Sequence, residues 1–433
     1  MFFNFNSLTK HPGNKIALEM MGRNPLDMGQ YKKVFGTNRV PWEKRDKLSF
    51  NSKSGHVTVI HNNHFFHLDL FGADKRVLND TQLIQQLTRI TQISSNPDAK
   101  GIGYLTAEHR DTWAKAYQLL SADETNRINL ADIETSMLIL CLDAPCGLSK
   151  SSNIANLAGE QTIHGQGSKS NGGNRWFDKT IQMIVGADGV NGLTYEHSPA
   201  EGQPVAIMSD YMVDFINQKK GFGYTAASDP REPKALKFVI SPQVESMINE
   251  AKQNLDKLAQ GLDLNCFKFT EYGKCFIKSQ KLSPDSYLQM AMQLAFYRVH
   301  NQPGAHYESA ATRMYKGGRT ETIRSCSIES VAFAKTMLSN QSNKEKMEAM
   351  KTAINAHKKY TVMALFGLGV DRHLLGLKRA SIENDIALHE LFTDEGFKRS
   401  THMRIATSQD ASLNQILYND RSPPLEIISL PPE

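Results

Sequence analysis

The chain has 433 residues, 40% hydrophobic and 22% charged, with a formal net charge of +5. That length admits two domains, and the composition is ordinary for a globular protein. The longest apolar runs, such as that from Met137 to Leu142, are far too short to span a bilayer. The basic residues form neither a block nor an aromatic-interleaved stripe, which argues against nucleic-acid binding. The five cysteines (Cys141, Cys146, Cys266, Cys275 and Cys326) lack metal-type spacing. They read as small apolar residues of a reduced, intracellular chain, with no metal and no cofactor expected. The start, Met1 to Leu8, lacks the basic and apolar regions of a secretory signal.

In chain order, Gly22 to Arg45 is punctuated by Gly and Pro and reads as an irregular, docked segment. Val57 to Leu70 alternates as two strands around a turn at Asn62-Asn63. Asp80 to Gln92 is a predicted helix with Leu83, Ile84, Leu87 and Ile90 on one face, and a second helix runs from about Thr106 to Leu120. Ile133 to Leu142 reads as a buried strand. Cys146 to Gly173, rich in Gly, Ser and Asn, reads as a loop. A helix is expected over Asn174 to Lys179, a strand near Thr180 to Val185, and a helix over Ile207 to Ile216. A domain boundary is expected between Gly221 and Pro242, giving domains of 1–240 and 241–409 and a tail of 410–433. Pro242 to Leu258 is predicted helical and Asn265 to Ile277 a strand. Ser283-Pro284-Asp285 opens a helix that reaches about His300, with Ser as cap and Pro at the first helical position. Ser342 opens another, with Glu345 completing a capping box. Interleaved strands and helices make the class α/β.

Two stretches carry chemistry. Tyr195-Glu196-His197-Ser198-Pro199-Ala200-Glu201-Gly202 sets an imidazole four residues before a carboxylate. Such a pair can take a proton near neutral pH and fix the tautomer that does so. Arg313 to Ser325 is rich in Gly, Arg and Thr. Together, in this order, they closely resemble the carnitine/choline acyltransferase family, and most closely its carnitine acetyl branch. The resemblance extends from Pro25–Tyr31 and Phe35–Pro41 through Asn174–Lys179, Lys281–Asp285 and Asp371–Lys378 to about Gln409.

The resemblance implies two similar α/β domains of the chloramphenicol-acetyltransferase type, with the active site in a tunnel between them. It implies transfer of a short acyl (acetyl) group between coenzyme A and the hydroxyl of carnitine, with coenzyme A as a substrate. His197 matches the catalytic base and Glu201 the acid that orients it. Lys274, Lys278, Ser283 and Asp285 match the coenzyme A site, as do Ser309 and Gln409. Two cations flanking a strand end, beside a helix N-terminus, would suit phosphate. Tyr307, Thr320 and Arg372 match the positions that hold the carnitine carboxylate, which favours carnitine over choline. A guanidinium can meet a carboxylate in a planar fork. Ser408, in Ala406-Thr407-Ser408-Gln409, matches a donor to the developing oxyanion. A monomer in mitochondria or peroxisomes, with acyl-CoA and carnitine as its partners, is the expectation.

The match stops after Gln409 and lacks the family's N-terminal helical segment before about Ala17. On sequence grounds the chain therefore reads as truncated at both ends, with an incomplete second domain. The alternative to an active enzyme is a catalytically weak or inactive family member that binds coenzyme A or a partner chain.

Overall fold

A computed structural model describes residues 17–147, 153–217 and 226–408. Its strands are β1 (Met20–Met21), β2 (Asn24–Pro25), β3 (Thr37–Val40), β4 (Lys47–Phe50), β5 (His56–His61), β6 (His64–Asp69), β7 (Ile139–Asp143), β8 (Ile181–Gly186), β9 (Asn191–Tyr195), β10 (Lys234–Leu236), β11 (Ala305–Ala311), β12 (Thr320–Ile323) and β13 (Met403–Thr407). Its α-helices are α1 (Asp80–Ile93), α2 (Arg110–Ser121), α3 (Glu124–Thr135), α4 (Ile154–His164), α5 (Gly202–Asn217), α6 (Pro242–Gly261), α7 (Lys274–Ser279), α8 (Pro284–His300), α9 (Ile328–Met337), α10 (Asn343–Leu365), α11 (Asp371–Glu383) and α12 (Glu395–Thr401). The class is α/β. No helix among the described residues is long and apolar enough to cross a membrane. Contacts divide the described chain into two units, residues 28–266 and residues 18–27 with 267–408.

The first unit is built on a six-stranded mixed sheet in the order β10-β6-β5-β7-β8-β9. Its hairpin is locally encoded. Asn62 and Asn63 both take positive φ, 50° and 65°, the two-residue turn whose twist matches the strands it joins. Next to it, β7 pairs in parallel with β5 and β8. The run around β7 is apolar without a break because both its faces are buried. Ile139 and Cys141 enter one core, with Trp113, Leu130, Ile133, Val244, Ile248 and Leu255. Leu138 and Leu140 enter the other, with Leu83, Ile90, Val205 and Met208. Successive side chains point to opposite faces of a strand, so the helices split into two layers around the sheet.

Several elements depart from expectation. Ile133 to Thr135 end α3, and the strand begins only at Ile139. The stretch read as a loop, Cys146 to Gly173, contains α4, capped by the Asn153 side chain on the Asn156 amide. Asn174 to Lys179 is not helical, because its polar side chains serve the tertiary structure. Asn174 donates to the Leu142 carbonyl and to Asp143, and Arg175 pairs with Asp143 at 2.8 Å with both side chains fully buried. The helix expected from Thr106 starts at Arg110, after a 3-10 turn over Ile102–Ala107. Ile84, expected to share a face with Leu83, is 63% exposed while Leu83 is buried. The boundary read before Pro242 and the contact division after Cys266 are different cuts. α6 falls on the first unit's side because Val244, Ile248, Ala251 and Leu255 complete its core.

The second unit carries a three-stranded sheet, β12-β11-β13, in which β11 pairs antiparallel with β12 and parallel with β13. Met290 of α8, Phe333 of α9, and Ala353 and Ile354 of α10 form its helical core. The β1–β2 ribbon and its following turn belong to this unit. The Arg313 guanidinium donates twice to the Asp27 carbonyl, at 3.0 and 2.9 Å. The segment read as irregular and docked therefore contains short paired strands. The strand expected over Asn265 to Ile277 is absent: the chain there is irregular and then turns into α7.

Candidate active site

His197 sits in the turn from β9 into α5. The turn is anchored where the Glu196 amide donates to the Thr180 carbonyl at 2.9 Å and where Ala200 is fully buried in the core. The Glu201 amide donates to the buried Gln30 side chain at 2.8 Å. These contacts leave the imidazole half exposed, at 48%, with its two nitrogens facing different groups. Nδ1 lies 3.2 Å from the Glu201 carboxylate. Nε2 lies 2.8 Å from the Tyr195 hydroxyl, and the two rings are tilted at 4.8 Å between centroids. A carboxylate on Nδ1 favours the proton there, so the lone pair is on Nε2 and the Tyr195 hydroxyl donates to it. The predicted pair is thus a chain of three groups, Tyr195, His197 and Glu201. Tyr195 was visible in the sequence only as the aromatic two residues before the histidine.

The second unit gathers the three residues matched to a carboxylate site. Arg372 lies in the first turn of α11, and its guanidinium donates to the Thr320 hydroxyl at 3.1 Å and the Thr320 carbonyl at 3.1 Å. It also donates to the Tyr307 hydroxyl at 3.3 Å. Strand alternation explains how Tyr307 comes to this face. On β11, His306, Glu308 and Ala310 point into the core, while Tyr307 and Ser309 point the other way. Ser309 pairs in register with Thr322 of β12, beside Thr320. The neighbouring Asp371 forms a two-pronged pair with Arg324 at 2.9 and 2.6 Å, which fixes the start of α11. Arg324 and Asp371 are positioning residues that sequence reasoning left without a role.

Lys274 and Lys278 do not flank a strand end. They lie one turn apart on the short helix α7, on one face of it. Ser283 caps α8, its hydroxyl accepting from the Ser286 amide at 3.4 Å. Asp285 follows in the first turn, half-buried, and its pKa is raised by burial first and by Glu308 second. Beneath it lies a polar cluster that the sequence did not disclose. Glu308 accepts from the Ser325 hydroxyl at 2.6 Å and meets His357 Nε2 at 2.8 Å, while His357 Nδ1 meets the Ser286 hydroxyl at 3.0 Å. Only a buried-polar count could have hinted at it, because Glu308, Ser325 and His357 lie far apart in the chain. Ser408 directly follows β13 and is exposed. Gln409 lies outside the described residues.

Comparison with known proteins places the chain in one family. The Choline/Carnitine o-acyltransferase family matches residues 4–419. A carnitine O-acetyltransferase of Columba livia is 42% identical over 399 residues, and one of Homo sapiens 42% over 400. A choline O-acetyltransferase of Danio rerio is 39% identical over 405 residues. Each alignment covers 91% of this chain. The chain spans 64% of the length of the two carnitine enzymes and 63% of the choline enzyme. A family match across nearly the whole chain, running through both the His197 turn and the Arg372 cluster, shows that the chain belongs to the choline/carnitine O-acyltransferase family.

Proposed function

We propose that the chain transfers a short acyl group, acetyl above all, between coenzyme A and the hydroxyl of carnitine. The observation that carries carnitine over choline is the Arg372–Thr320–Tyr307 cluster. It offers a guanidinium and two hydroxyls to a carboxylate, and choline has none.

In the proposed reaction His197 Nε2 takes the proton of the carnitine hydroxyl as its oxygen attacks the thioester carbon. The carbonyl electrons move to oxygen, where Ser408 donates a hydrogen bond, a contribution of ~3 kcal/mol at sites of this type. The carbon–sulfur bond then breaks, and the proton on Nε2 passes to the departing thiolate. One imidazole serves both directions, because both nucleophiles lose a proton as they attack. Glu201 holds the ring and stabilises the imidazolium. Lys274 and Lys278 meet coenzyme A phosphates, and Ser283, Asp285, Ser309 and Gln409 contribute further contacts to that substrate.

The test is thiol release from acetyl-CoA by the purified chain, with carnitine or choline as acceptor. Turnover with carnitine alone supports the reading. Turnover with choline alone would assign the chain to choline. Coenzyme A binding with no turnover on either acceptor would favour a non-catalytic, coenzyme A-binding member of the family.

A further inference from the structure

Two segments of the first unit meet beside the His197 turn. The Arg39 amide of β3 donates to the Asp178 carbonyl at 2.8 Å, and the Thr180 amide donates to the Thr37 carbonyl at 3.2 Å. The Thr180 carbonyl in turn accepts from the amide of Glu196, the residue before His197. This pairing sets the Arg39 guanidinium among three carboxylates. Its Nε lies 3.4 Å from Asp46 and 3.4 Å from Asp178, and its Nη1 lies 3.5 Å from Glu196. The Asp178 and Glu196 side chains are 1% and 8% exposed. The Glu196 carboxylate also accepts from the Ser198 hydroxyl at 2.6 Å and from the Ser198 amide at 3.1 Å. It therefore ties the residue before His197 to the residue after it.

On the reading of His197 as the base, on which this rests, we infer that Arg39 is a positioning residue for it, acting through the Glu196 carboxylate. Among the described residues, Arg39 is the one Arg or Lys within ion-pair distance of Glu196. Asp46 and Asp178 do not depend on Arg39 in this way. Arg110 of α2 donates to Asp46 at 2.8 Å and stands 2.7 Å from Asp178, and Trp113 Nε1 donates to Asp178 at 2.6 Å. A sheltered carboxylate without a counter-charge takes up a proton or draws in water. Either change weakens its hold on Ser198, because a charged acceptor makes the stronger hydrogen bond. The turn sets where the imidazole stands, and a displacement of about 1 Å at a reacting group can cost ~100-fold in rate. Loss of Arg39 is thus felt at the ring, while Arg110 and Trp113 keep Asp178 in place.

Steady-state kinetics of the purified chain with acetyl-CoA and carnitine test this, together with the ¹⁵N signals of the His197 ring, assigned by their loss in His197→Gln. Arg39→Met is expected to lower kcat ~10–100-fold, to leave both KM values and the melting temperature little changed, and to shift the ring signals. Glu196→Gln keeps an acceptor for Ser198 and needs no cation. Adding it to Arg39→Met should therefore recover most of the lost kcat and return the ring signals towards those of the wild type. Should Arg39→Met fail to fold, the two Glu196 variants decide: Glu196→Gln should keep roughly 10-fold more kcat than Glu196→Ala. An Arg39→Met chain with unchanged kcat and ring signals, a double variant no better than Arg39→Met alone, or equal losses in Glu196→Ala and Glu196→Gln would overturn the assignment. A wild-type chain without turnover would instead sink the acyl-transfer reading, and the ring signals alone then decide whether Arg39 and Glu196 hold His197.

Discussion

A single ring carries two hydrogen bonds of opposite use in this chain. Nδ1 of His197 is committed to Glu201, and Nε2 meets the Tyr195 hydroxyl, so the nitrogen that would accept a substrate proton already has a donor against it. His197→Ala is therefore expected to lower kcat by ~10²–10⁴-fold, with acetyl-CoA affinity little changed. Steady-state turnover and equilibrium binding check this together; a variant keeping a tenth of the rate would show another base. Tyr195→Phe removes a hydrogen bond, worth about 1 kcal/mol net, that must break before Nε2 takes a substrate proton, so kcat is expected to hold or to rise by up to roughly 5-fold with carnitine KM unmoved. Arg372→Ala should raise carnitine KM by what a lost charged partner costs, about 2–5 kcal/mol, and leave acetyl-CoA KM nearly constant. Equal effects on both substrates would place Arg372 in the scaffold, beside the Arg324–Asp371 pair that holds its helix.

At the scale of elements, what was legible was what is encoded within a few residues. Asn62-Asn63 set the β5–β6 turn, Ser283-Pro284 set the start of α8, and Ser342 with Glu345 set the start of α10. Each appears in the structure with its local bonds made; the Ser342 hydroxyl accepts from the Glu345 amide, while the Glu345 carboxylate reaches back to the Ser342 amide. Ser342→Ala is expected to cost about 1 kcal/mol of stability, read as a shifted denaturation midpoint at constant slope. What failed were stretches whose local pattern is outvoted. Asn174 to Lys179 has a helical look, yet its Asn, Arg and Lys side chains are spent on Asp143, on backbone carbonyls and on buried positions across the sheet. Lys179 shows the cost: burial pulls its ammonium down to about 7.

At the scale of the molecule, the second unit folds around a histidine kept neutral. His306 accepts no proton readily because burial lowers its pKa to about 4, Glu308 opposing that shift and His357 adding to it. Gln293 and Thr407 contact its two nitrogens at 2.7 and 3.0 Å. Since the folded value lies below the ordinary 6.5, the unfolded chain binds the proton first. The stability is fully present above pH ~6.5 and falls as pH drops toward ~4, by at most ~3 kcal/mol. Asp285, raised, titrates in the opposite sense and offsets part of this slope. Comparison of wild type with His306→Gln isolates the histidine. Its denaturation free energy should lose less between pH 7 and pH 4.5 than the wild type does, and parallel curves would remove His306 from the account.

The sequence by itself determined the class, the hairpin, the capped helix starts, the family and the residue types at His197 and at Arg372. These follow from short-range geometry and from motifs that survive as contiguous text. Only the tertiary structure decided that Tyr195 meets His197, that Tyr307 and Ser309 face away from Glu308 on one strand, and that His56 and His67 share one carboxylate. The first depends on how the chain turns after β9, the second on which pleat face of β11 is buried, and the third on strand pairing that joins residues distant in the chain. A hydrogen bond needs its partners within about 3 Å, and no periodicity in a linear sequence fixes that distance.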